Sequence, residues 1–97
     1  MNEELSKAVQ IYLGKGTASW PQADIGAIAQ RFGSRADEIA EQIEALLTEA
    51  GQFHPNWGEV DLAAATQLAE AHMRNRRPDL SDDAIRAIGW AWSFWNR

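Results

Sequence analysis

The chain has 97 residues, 45% of them hydrophobic, and carries 9 Lys plus Arg against 14 Asp plus Glu, a formal net charge of −5. That length fits one domain with a sizeable core, and the acidic balance opposes nonspecific attachment to nucleic acid or to an anionic membrane. With no cysteine a disulfide framework and a thiolate metal site are excluded; the acidic start MNEELSKAVQ lacks the pattern of a signal peptide and no run reaches roughly eighteen apolar residues, so a cytoplasmic location is expected.

Leu5, Ala8, Val9, Tyr12 and Leu13 recur at the spacing of an amphipathic helix that Gly14 can end. The GKGTASWP that follows shares Gly14, Lys15, Gly16 and Thr17 with a phosphate loop, but it has neither the full glycine spacing nor a preceding strand and reads as a linker. Ser19, Trp20, Pro21 and Gln22 have the form of a capping box with proline in the first turn. They predict a second helix with Ile25, Ile28, Ala29 and Phe32 as its buried stripe, stopping at Gly33. Ser34 with Asp37 reads as a further capping box, starting a third helix whose inward face is Ala36, Ile39, Ala40, Ile43, Leu46, Leu47 and Ala50. Its other face carries Asp37, Glu38, Glu41, Glu44 and Thr48, a solvated surface, and Gly51 ends it.

QFHPNWGE is the main linker, and its Phe53 and Trp57 are expected to lie back on the core because both are costly to leave wet. A fourth helix is predicted from about Val60 to Asn75, with Leu62, Ala65, Leu68, Ala69, His72 and Met73 inward. Arg74, Arg76 and Arg77 fall in and after its last turn, where cations suit the negative end of the dipole, and Glu70 with Arg74 is an i, i+4 pair.

The last stretch, Leu80 to Arg97, begins with Ser81 as N-cap, Asp82 and Asp83 in the first turn, and Leu80 with Ile85 at the spacing of a hydrophobic staple. Ala84, Ile85, Ile88, Ala91, Trp92 and Trp95 share one face of the resulting helix, while Ala87, Trp90 and Phe94 lie roughly 120° further round. The first face, with Trp92 and Trp95, is assigned to the core. Trp90 and Phe94 are then either covered by other helices or offered to a partner, bordered by Arg86 and by Arg74, Arg76 and Arg77. Aromatic and arginine together have the composition of an interface hot spot, so these six residues are the expected partner site.

Elsewhere the chemistry is sparse. His54 and His72 are eighteen residues apart, neither has a second ligand at i+3 or i+4, and His72 reads as a hydrogen-bonded core histidine. Ser6, Ser19, Ser34 and Ser81 read as N-caps or helix-surface residues, and none of them, nor Ser93, has a nucleophile elbow around it.

Helices two and three resemble a helix-turn-helix unit in Ile28, Ala29, Phe32, Gly33 and Ile39, and LLTEAGQF is similar to the end of many winged-helix recognition helices. The resemblance covers Ile25 to Phe53 and implies duplex DNA as a ligand. The chain departs from the pattern at Ser34, where an apolar turn residue is usual, and in the carboxylates Asp37, Glu38, Glu41 and Glu44, which oppose phosphate contact.

The expected architecture is therefore all-α: a compact bundle of five short helices without a sheet, one domain over 1–97, with a tri-helical part at 1–53 and a helical hairpin at 59–97. The expected function is a non-catalytic protein-interaction or regulatory module that uses no cofactor or metal and binds a protein partner or a second copy. A helix-turn-helix DNA-binding regulator is the alternative, and an enzyme the third.

Overall fold

The structure, a computed structural model, describes residues 2–96. Arg97, the last residue of the C-terminal stretch, lies outside them. The described chain is mostly helical and has no strand: α1 (Glu3–Leu13), α2 (Ile25–Phe32), a 3-10 turn at Gly33–Arg35, α3 (Ala36–Gly51), α4 (Leu62–Arg76) and α5 (Asp82–Trp95).

The helix starts follow from short polar side chains that answer unpaired first-turn N–H groups. Asn2 accepts from Leu5 N at 3.1 Å, Asp24 from Ala27 N at 2.9 Å, Asp61 from Ala64 N at 2.8 Å and Ser81 from Ala84 N at 3.1 Å. Two predicted starts are corrected. Ser19 does not cap α2, because the backbone of its segment closes α1 instead: Gln22 N donates to Leu13 O and Asp24 N to Tyr12 O, which answers two carbonyls that end α1. Ser34 does not cap α3 either, since the chain passes from α2 through a 3-10 turn straight into α3 and offers no extended N-cap residue. Gly14 ends α1 in the left-handed region at φ 72°, a conformation that costs a residue with a Cβ more than it costs glycine.

The core is one cluster to which α1, α2, α3, α4 and α5 all contribute, α2 through Ile28 alone, with Leu13, Ile28, Ile43, Leu46, Met73 and Trp92 among its largest fully buried side chains. The inward face of α3 is buried as its periodicity predicts, through Ala36, Ile39, Ile43, Leu46 and Ala50. Helix α2 is not: only Ile28 is buried, Phe32 is partly buried, and Ile25 and Ala29 are exposed. Eight residues make about two turns, and the neighbours of so short a helix cover only part of its apolar stripe.

Helix α5 lies against α4 and α1 more extensively than any other helices meet. It runs parallel to α1, whose start is tied to the α4–α5 turn. Asn2 N donates to Asp79 O at 2.6 Å, and Ser81 N donates to Ser6 Oγ at 2.9 Å. Ser6 is thus neither a cap nor a surface residue but a buried acceptor. Helices α4 and α5 are antiparallel, with Arg74 facing Asp82 near the turn and Glu70 lying over Gly89 further along. The two residues of the predicted staple, Leu80 and Ile85, are both buried and border the same hollow.

Trp92 is 1% exposed and belongs to the core, whereas Trp95, assigned to the same face, is 52% exposed. The reason is length. Lys15, just past the end of α1, already borders the same hollow as Trp90 and Ser93, so the last turn of α5 runs beyond its parallel neighbour. Leu68, also predicted inward, is 46% exposed, because α4 buries the narrower stripe Ala65, Ala69 and Met73.

Candidate functional site

The residues expected to form a partner site divide among three places. Arg86 and Trp90 border a hollow of about 770 Å³ between α4 and α5, together with Lys15, Leu62, Glu70 and Ser93. Arg74 and Arg77 border a second hollow at the α4–α5 turn, with Pro78, Leu80 and Ile85. Arg76 points to α3, where it pairs with Glu49. Trp90 and Phe94 are both partly buried, and Trp90 lies against the core.

Every one of the four arginines is engaged within the chain. Arg74 meets Asp82 at 2.5 Å, Arg86 meets the other oxygen of Asp82 at 3.0 Å, and Arg77 forks onto both oxygens of Asp79 at 3.0 and 2.9 Å. The hydrogen bond from Arg77 holds the Asp79 carboxyl below its usual range, and the one from Arg74 does the same for Asp82. These guanidinium groups hold the α4–α5 turn together, with α5's first-turn aspartates at the positive end of its dipole. Glu70 behaves in the opposite way: burial pushes its carboxyl up, and Arg74 and Arg86 only partly compensate.

A second assembly lies around Trp92. The Trp57 indole stacks on it, with centroids 6.0 Å apart and planes at 11°. Phe53 meets Trp92 at 6.0 Å and the His72 ring at 5.1 Å. The linker aromatics therefore lie back on the core as expected, although Trp57 remains 48% exposed. His72 is partly buried against Phe53, and its ring makes no hydrogen bond among the described residues. The indole N–H of Trp92 is buried without an acceptor among the described residues. The loop backbone carrying these rings bonds locally, through Phe53 N to Ala50 O and Glu59 N to Asn56 O.

Two further exposed side chains stand one helical turn from this cluster. Leu68 precedes His72 by four residues on α4, and Trp95 follows Trp92 by three on α5, spacings that place each beside its neighbour. Trp57, Leu68 and Trp95 are three of the five exposed large hydrophobic residues among the described ones, the others being Trp20 and Ile25. Sequence periodicity missed this surface because it assigned Leu68 and Trp95 inward. The available signal was the position of Trp95, within two residues of the end of a predicted helix.

Among the described residues no three His, Cys, Asp or Glu side chains converge as a metal site would require, and no helix is long and apolar enough to cross a membrane. The exposed face of α3 presents Asp37, Glu38, Glu41 and Glu44 to solvent. In comparisons with family models, curated proteins and solved structures, the chain matches none.

Proposed function

We propose that this chain is a small cytoplasmic, non-catalytic interaction module whose docking surface is the C-terminal helical hairpin. The observation that carries the reading is the half exposure of Trp57, which stacks on the buried Trp92, and of Leu68 and Trp95, which stand one helical turn from His72 on α4 and from Trp92 on α5. Exposed aromatic side chains on rigid helices, backed by a packed core, are the usual anchors of binding energy. The hollow bordered by Trp90 and Arg86 is the secondary surface, favoured by the joint presence there of Lys15 and a partly buried aromatic ring.

On this reading the chain is a five-helix bundle in which α2 and α3 form a helix-turn-helix-like pair that serves packing. Carboxylates on the outward face of α3 oppose a DNA backbone, so duplex binding is the weaker alternative. The test is a pull-down from the native host comparing the wild type with Leu68→Ala and Trp95→Ala, alongside sedimentation and a low-salt gel shift. Specific partners lost from both variants, at unchanged melting temperature, are the expected result. Tight, salt-sensitive DNA retention, or a partner set indifferent to both substitutions, overturns the proposal.

A further inference from the structure

We infer that Trp57 is a built-in placeholder on Trp92, and that the surface it covers takes a basic, proline-bearing extended peptide segment. The inference rests on the docking reading and names its occupant. Three observations choose that occupant. Half-exposed Trp95 and Leu68, together with the face of Trp92 that Trp57 covers, offer roughly 300 Å² of apolar surface, well short of the about 800 Å² per partner that a stable dimer needs. A second copy is also acidic, at −5, so like charge opposes it. The linker that carries Trp57 is negative: no Lys or Arg occurs from Gln52 to Gln67, Glu59 and Asp61 are exposed two and four residues past Trp57, and the cation one turn beyond His72 on α4, Arg76, is paired with Glu49. A cationic segment fits that rim.

The third observation is the Trp92 indole N–H, buried with no acceptor among the described residues. Trp57 stacks on the same indole but has only a donor of its own, so it cannot answer that N–H. An extended proline-containing segment supplies what is missing, because its carbonyls are unpaired along the chain and its flat rings lie on aromatic faces. The loop that carries Trp57 is held by its rings and by local turns. Among the described residues its displacement breaks no hydrogen bond to a distant helix. A partner's ring takes the place of Trp57, and a partner carbonyl accepts from Trp92 Nε1.

The experiment is a fluorescence titration of the full chain with a labelled peptide carrying two Pro-Pro-x-Pro runs flanked by arginines. The indole N–H resonances are followed in parallel by NMR, the Trp92 signal being assigned with tryptophan-to-phenylalanine variants. Expected are saturable binding, a downfield shift of the Trp92 indole N–H, about tenfold weaker binding by Trp95→Ala and several-fold tighter binding by Trp57→Ala. Trp57→Leu, which keeps an apolar cover over Trp92, is a second variant in case the alanine form fails to fold, and it binds more tightly than the wild type. Equal binding of a peptide with its prolines replaced by alanine, or weaker binding by Trp57→Leu, overturns the inference. If the peptide does not bind while Trp95→Ala still strips partners from the pull-down, this inference falls and the docking reading stands. If Trp95→Ala changes neither assay, both fall.

Discussion

At Gly89 a methyl group would sit 2.5 Å from Glu70 Cγ and 2.8 Å from its Cδ, so the absence of a side chain lets the Glu70 stem lie across α5. Two effects compete in Gly89→Ala. Alanine favours the helix by about 1 kcal/mol, whereas overpacking costs about 1–3 kcal/mol. Because Cγ is not the free end of the side chain, the clash wins, and denaturant melts should show a loss of about 1 kcal/mol. With Glu70→Ala already present nothing opposes the methyl group, and the same substitution should then stabilise by about 0.5–1 kcal/mol. Glu70 also sets a pH dependence. Its folded-state carboxyl is raised above the ordinary 4.5, chiefly by burial, so the folded chain binds the proton first. Its contribution to stability is full below that ordinary value and is lost as pH rises through the raised one. Glu70→Gln should therefore be more stable than the wild type at pH 7, with the gap closing as pH falls to about 4. Asp79 and Asp82, both held below their ordinary 3.8, stay ionised and paired over that interval and do not reverse the trend. A Gln variant less stable at pH 7 would show that the arginine pairs outweigh the burial.

At the scale of elements, the helices with strong caps and a wide apolar stripe were legible in the sequence, and the short ones were not. Ser81 with Asp82 and Asp83 starts α5 where those residues predict, and the seven-residue stripe of α3 is inward, with Ala40 and Leu47 at its margin. For α2 two candidate caps compete within six residues. Ser19 has the better local pattern, but Asp24 is the one whose carboxylate meets a first-turn N–H. What decides is a contact that local pattern does not contain: the backbone of residues 22–24 is spent on the carbonyls of Tyr12 and Leu13. Asp24→Ala should cost about 1 kcal/mol in a thermal or denaturant melt, while Ser19→Ala should leave the midpoint unchanged. The reverse order would restore the earlier helix start. The same limit explains Leu68 and Trp95. Helical periodicity reports direction, and burial also needs a neighbour at that height along the axis.

For the whole molecule, α5 joins α1 to α4, with Trp92 as its largest fully buried side chain and Trp95 outside, three residues on. Of the expected partner site, the aromatic character of this helix was legible. Which tryptophan faces outward was not, because that depends on where α1 ends. The arginines meet carboxylates that the sequence did not point to, Asp79 and Asp82 at the chain reversal and Glu49 from α3. The docking proposal requires that core and surface tryptophans be separable, and urea melts of Trp92→Ala and Trp95→Ala measured side by side test this most directly. Trp92→Ala should lose about 3–5 kcal/mol, a large part of what holds a domain of this size together, and Trp95→Ala should lose less than about 0.5 kcal/mol. Equal losses of several kcal/mol at both positions would place Trp95 in the core and remove the docking surface.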